Sequence, residues 1–115
     1  MGAISNLITP HDLVNRIGSP DDLVVLDVRR APAFDKAIDM IATANWHDPA
    51  QIDEWSNDLS DDHDYLVYCV HGHEVSQNAA AVLRSKGVRA RYLEGGIDAF
   101  RDSGGPMMER ATNAK

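Results

Sequence analysis

The stretch Tyr65-Leu-Val-Tyr-Cys69-Val-His71-Gly72-His73-Glu74-Val75-Ser76 sets the chain's single cysteine between a short apolar run and the start of a helical pattern. The aromatic and β-branched content of Tyr65 to Tyr68 predicts a short buried strand. From Val75 onward, Val75, Ala79, Val82 and Leu83 fall on one face at helical spacing, while Gln77, Asn78, Arg84 and Lys86 are left to solvent. Gly87 is placed to stop that helix. The unit is strand, cysteine loop, helix. A loop closing over a helix N-terminus turns several backbone N–H groups inward and can hold a sulfur as an anion, which makes the sulfur a nucleophile. A lone cysteine elsewhere is ordinarily a small buried hydrophobe.

Outward from this unit the same alternation continues. Leu23 to Asp27 is a continuous apolar run ending in an acid, the pattern of a parallel strand buried on both faces. Arg89 to Leu93 reads as another strand, followed by a helix from about Gly96 to Ser103. Near the start, Thr9-Pro-His-Asp12 offers an N-cap hydroxyl, a proline at the first helical position and a first-turn carboxylate, so a helix is predicted to about Gly18. Ser19 to Asp22 reads as a turn. Pro32 to Met40 reads as a short helix, Ile41 to Ala44 as a brief strand, and Asp48-Pro-Ala-Gln51 as the start of a helix carrying Ile52, Trp55 and Leu59 on one face. The acidic loop Asp58 to Asp64 closes it. Strands alternating with helices predict an α/β domain with a largely parallel sheet and right-handed crossovers.

Length and composition bound the function. At 115 residues, 43% hydrophobic and 25% charged, the chain suits one domain over residues 1–108, with a polar tail at 109–115 expected to be disordered. The net charge of −7 and the lack of a Lys/Arg cluster argue against nucleic acid as a partner. Arg84, Lys86, Arg89 and Arg91 read as a solvated helix end and the next strand. A single cysteine forms no internal disulfide, and no apolar run approaches a membrane span, so a cytoplasmic protein with a reduced thiol is expected.

Three motifs stand in order: Leu26-Asp27-Val28-Arg29, Cys69-Val-His-Gly72, and Tyr92-Leu-Glu-Gly95-Gly96-Ile97 with Gly104-Gly105-Pro106. The ordered set resembles the rhodanese domain over about residues 5–106. The resemblance implies a three-layer α/β fold, with a central, largely parallel five-stranded sheet and helices on both faces. It implies a sulfurtransferase of the thiosulfate sulfurtransferase type, in which Cys69 takes the outer sulfur of a small donor such as thiosulfate, becomes a persulfide, and passes the sulfur to a thiophilic acceptor such as cyanide or a thiol. Val70, His71, Gly72, His73, Glu74 and Val75 would form the anion-binding loop, and Asp27, Arg29 and Ser76 would support it. No metal or organic cofactor is implied. A persulfide carrier or binding module with a protein as sulfur acceptor is the alternative.

Departures from the common pattern bear on substrate. Glu74 and Val75 stand where many such loops carry an arginine or serine followed by a serine, and an acid at the mouth repels a dianionic donor. Ala33 replaces a frequent acid, and Phe100 a frequent tryptophan. His71 and His73 flank Gly72, and a protonated imidazole in the loop would steady an anion. A Cys69-x-His71-x-His73 metal site completed by His47 or His63 is a competing reading, although its spacing is cramped for a structural site. The phosphatase or arsenate reductase branch calls for an arginine six residues after the cysteine, where Val75 stands.

Overall fold

Alternation along the strand Asp64–Tyr68 sets the layering, because Tyr65 and Val67 pack to one face of the sheet, Leu66 and Tyr68 to the other, and all four are buried. A strand apolar on both faces needs cover on both. The structure is a computed structural model that describes residues 6–17 and 23–110. In chain order its elements are β1 (Leu7–Ile8), α1 (Pro10–Arg16), β2 (Leu23–Asp27), α2 (Ala31–Lys36), β3 (Asp39–Ile41), β4 (Asn45–Trp46), α3 (Ile52–Trp55), β5 (Asp64–Tyr68), α4 (Glu74–Ser85), β6 (Arg89–Leu93), α5 (Gly96–Asp102) and β7 (Met107–Glu109).

Five strands form a parallel sheet in the order β1-β6-β5-β2-β4. On one face Leu13 of α1, Phe34 of α2 and Ile97 and Phe100 of α5 meet Val25, Leu66, Tyr68 and Leu93. On the other, Ala79, Ala80 and Leu83 of α4 pack on Leu26, Tyr65 and Val67, with Ile52, Trp55 and Leu59 along the edge. Side chains such as Leu66 and Leu83 are fully buried, each stabilising the fold by about 1.5–3 kcal/mol. The predicted α/β architecture with a five-stranded parallel sheet is the one observed.

Helix ends follow local chemistry. Thr9 Oγ1 accepts from Asp12 N at 3.1 Å and Pro10 opens α1, as the sequence predicts. The helix ends at Arg16; Gly18 and the expected Ser19–Asp22 turn lie outside the described residues. Beyond α4, Val88 N donates to Leu83 O and Gly87 N to Arg84 O, both at 3.0 Å, so Gly87 stops the helix in a Schellman arrangement.

Four expectations are corrected. The helix expected to reach Met40 stops at Lys36, because Ala37 is extended and Met40 instead pairs with Met108 in a two-stranded antiparallel sheet of β3 and β7. The brief strand expected at Ile41 to Ala44 is replaced by a turn with Thr43 at a φ of 72°, with strands on either side of it. The helix after Asp48 is broken into 3-10 turns at Pro49–Gln51 and Ser56–Asp58 around the four-residue α3. Glu109 and Arg110, expected to open a polar tail, are instead held in place: Glu109 pairs with Asp39, and Arg110 N donates to Ile38 O at 3.2 Å.

Candidate active site

Parallel strands end together, and three of these ends carry the motif residues. Asp27 closes β2 in register with Tyr68 of β5, Cys69 follows directly, and Gly95 and Gly96 follow β6. Ligands of open parallel sheets bind outside such C-terminal ends.

Asp27 and Arg29 pair at the end of β2. Both are buried; Arg29 Nε donates to both Asp27 oxygens at 3.0 Å, Nη2 donates to Oδ2 at 2.6 Å, and the Arg29 backbone N–H donates to Oδ1 at 3.0 Å. Tyr68 Oη donates to Asp27 Oδ2 at 2.9 Å and accepts from Ile41 N at 3.2 Å. Burial, reinforced by the Asp27 charge, pushes the Tyr68 phenol well above its ordinary pKa, so it stays a donor. Burial alone would lower the Arg29 pKa, but its bond to Asp27 and that carboxylate's charge outweigh the effect and raise it. Arg29 Nη2 also reaches Asp39 O at 3.0 Å, tying the small sheet to the large one. The guanidinium is committed to structure.

The cysteine loop is clamped from beneath. Ile97 N donates to Cys69 O at 3.0 Å and Asp98 N to Val70 O at 3.2 Å, so the first turn of α5 spends its N–H groups on loop carbonyls. Gly96 sits at a φ of 66°, and a Cβ there would stand 2.4 Å from Val70 O and 2.6 Å from Cys69 O. Gly72, at a φ of 74°, is buried against the same segment, where a Cβ would meet Gly95 N and Leu93 O at 2.7 Å. Gln77 Nε2 ties Gly72 O to α4 at 3.0 Å. The N–H groups of Val70, His71, Gly72 and His73 donate to no backbone carbonyl among the described residues, and the first-turn N–H groups of α4 have no intrahelical partner. They are the donors available to an anion at the loop.

Cys69 is 5% exposed, and its Sγ lies 3.1 Å from the Oγ of buried Ser76. A thiol donates to that oxygen; a thiolate accepts from its hydroxyl. Cys69 opens into a cavity of about 280 Å³ with Val70, His71, His73, Glu74 and Val75 around it, and Arg29, Arg30 and Ala33 opposite. Gly72 does not line it. A wider groove of about 540 Å³ shares Arg30 and Val75 and runs past Pro49, Ile52 and Val82.

His71 turns outward: its Nδ1 is 3.1 Å from Asp98 Oδ2, with the imidazole 64% exposed. Asp98 is held in turn by Arg101, which also grips Asp39 and, through that hydrogen bond, keeps the Asp39 carboxyl below the ordinary range against the opposing effect of burial. His47 lies against Trp55, ring centroids 4.8 Å apart and planes tilted by 33°. Among the described residues no three His, Cys, Asp or Glu side chains are placed to hold a metal.

A family model described as Rhodanese-like domain matches residues 9–103. The chain belongs to the rhodanese-like domain family. A rhodanese-related protein of Thermoplasma volcanium is 28% identical, with a TM-score of 0.77 over 90% of this chain and 97% of its own. A Lactobacillus plantarum protein is 28% identical, with a TM-score of 0.79 over 89% and 87%. An Anabaena protein is 30% identical, with a TM-score of 0.74 over 88% and 81%. No curated protein matches. Sequence reasoning passed over two groups in this rhodanese-like domain. Arg30 directly follows the Asp-Val-Arg motif at the C-terminal end of a parallel strand, a position that itself was the signal. Tyr68 read only as core, since nothing in an apolar run announces a buried hydroxyl bond.

Proposed function

We propose that the protein is a sulfurtransferase working through a persulfide on Cys69. The carrying observation is the placement of Cys69 Sγ, almost buried against Ser76 Oγ, at the floor of a cavity ringed by a loop with unused N–H donors. The Cys69 thiolate attacks the outer sulfur of thiosulfate; the new bond forms as the bond to the sulfite sulfur breaks, and sulfite leaves with the electron pair. The loop donors and the Ser76 hydroxyl then steady the persulfide anion. The acceptor thiolate takes the same outer sulfur and returns Cys69 as thiolate. Such chemistry needs access and anion stabilisation more than a general base, and a reducing compartment suits it.

The test is intact mass after incubation with thiosulfate and, separately, with a persulfide donor. The wild type is expected to gain one sulfur atom removable by reductant and Cys69→Ala none; transfer retained in Cys69→Ala refutes the mechanism. Glu74 at the mouth supports a second reading, a persulfide carrier served by a protein donor or acceptor. Loading by the persulfide donor but not by thiosulfate is its signature.

A further inference from the structure

The cavity at Cys69 carries two charges with nothing to answer them. The Arg29 charge is paired with Asp27, and His71 is turned to Asp98. Arg30, the residue before α2, and Glu74, the first residue of α4, both line the cavity and are both exposed. Among the described residues neither side chain makes an ion pair or hydrogen bond, with each other or with anything else. A lone anion at Cys69 gains from Arg30 and loses to Glu74; a lone cation does the reverse. A molecule carrying both signs gains from each.

Resting on the sulfur-transfer reading, we propose that the acceptor is an α-amino acid thiol, bound as a zwitterion with its carboxylate toward Arg30, its ammonium toward Glu74 and its sulfur toward Cys69. A carboxylate suits the planar guanidinium fork. A cavity of about 280 Å³ has room for a small amino acid and water. In the transfer step the acceptor thiolate attacks the outer sulfur of the Cys69 persulfide. A bond forms between these two sulfurs, and the outer sulfur's bond to Sγ breaks with its electron pair going to Sγ. The acceptor's own thiol proton, given up as its thiolate forms, passes to the outer sulfur of the persulfide anion and leaves with the product, an amino acid persulfide, and no oxidant or reductant is consumed.

The experiment loads the full chain with sodium tetrasulfide and follows persulfide discharge by intact mass, with L-cysteine, N-acetyl-L-cysteine and L-cysteine methyl ester as acceptors. Variant-to-wild-type ratios cancel each thiol's own reactivity. Arg30→Gln is expected to slow cysteine and N-acetylcysteine by about fivefold, near the upper end for an exposed ion pair, and to speed the methyl ester, a lone cation that the guanidinium repels. Glu74→Gln is expected to slow cysteine and the methyl ester by a similar factor and to speed N-acetylcysteine, a lone anion that the acid repels. Uniform effects across the three acceptors, or none, overturn the proposal. Calorimetric binding of S-methyl-L-cysteine and its N-acetyl and methyl ester forms to the unloaded protein asks the same question without transfer. The crossed pattern there, with no persulfide on Cys69, sinks the sulfur-transfer reading and keeps zwitterion binding; binding indifferent to both blocking groups sinks the zwitterion.

Discussion

Gly96→Ala should disable the site through its scaffold. The substitution places a Cβ 2.4 Å from Val70 O, 2.6 Å from Cys69 O and 2.6 Å from Gly72 N, all backbone atoms that no rotamer change can move. The left-handed φ of 66° costs a side-chain-bearing residue about 1–2 kcal/mol. Relief of the clash requires parting the cysteine loop from α5, which sacrifices the Ile97 N to Cys69 O and Asp98 N to Val70 O bonds, each worth about 1 kcal/mol net. The expected loss is about 3–5 kcal/mol, at the large end for a single substitution. A loop displaced by about 1 Å should also lose on the order of 100-fold in sulfur transfer. Gly87→Ala is the control, because at a φ of 84° with nothing within 4 Å of its added Cβ it bears only the conformational cost. Urea midpoints give the stability difference, and persulfide formation at low denaturant gives the activity. If Gly96→Ala is no less stable than Gly87→Ala, or transfers sulfur at the wild-type rate, the clamping of loop to α5 is not what builds the site.

Three further outcomes are expected. Glu74→Gln should raise thiosulfate kcat/KM by about tenfold, a barrier change of about 1.4 kcal/mol, and neutral donors far less; equal responses would mean that Glu74 shapes the loop. Tyr68→Phe removes a donor from Asp27 and the acceptor of Ile41 N–H, so urea denaturation should register a loss of about 2–4 kcal/mol, and a loss below about 1 kcal/mol would show the network to be slack. Burial holds the His47 pKa below 6.5, so the unfolded chain binds the extra proton first: the His47 contribution is whole above 6.5 and declines as pH falls toward the folded value. His47→Phe, which keeps a ring on Trp55, should flatten the fall in urea midpoint between about pH 7.5 and 5.5; an unchanged slope would assign that fall to other groups.

What the sequence revealed follows how local the cause was. Leu23–Asp27 was legible to the residue because a buried parallel strand writes its burial into its own composition, and Arg89–Leu93 because exposed Arg89 and Arg91 alternate with buried Ala90 and Leu93. The Thr9 cap, the Gly87 stop and the cysteine loop with Ser76 were legible for the same reason. Asp39–Ile41 was not, since three residues acquire strand character only by pairing with Met107–Glu109 far along the chain. Likewise the outward turn of His71 depends on Asp98 and Arg101 of another helix, and the charge of Arg30 gains meaning only when the end of β2 is set beside the loop after β5.

The site divides into two parts that obey different physics. Asp27, Arg29 and Tyr68 are buried and mutually satisfied, so removing any one strands a charge or polar group out of water, which costs several kcal/mol for a broken buried pair. Among the described residues the Arg30 and Glu74 side chains make no ion pair or hydrogen bond, so replacing them leaves no buried group unpaired and costs the fold little. Their fields still fall on whatever approaches Cys69, in a cavity where water screens them only in part. On the proposed reading, selectivity toward the sulfur carrier resides where stability does not, and the two are altered separately. Paired variants make that separable in practice: Arg30→Glu with Glu74→Arg keeps the net charge of the mouth and reverses its direction. The unfolding free energy from urea denaturation should stay within about 0.5 kcal/mol of wild type, as expected of surface changes. A bound amino acid thiol would have to reverse its orientation and draw its sulfur away from Cys69, so discharge to cysteine should fall while discharge to cysteamine, which carries no carboxylate, falls less. Loss of stability in the swap would show that the mouth is part of the scaffold after all.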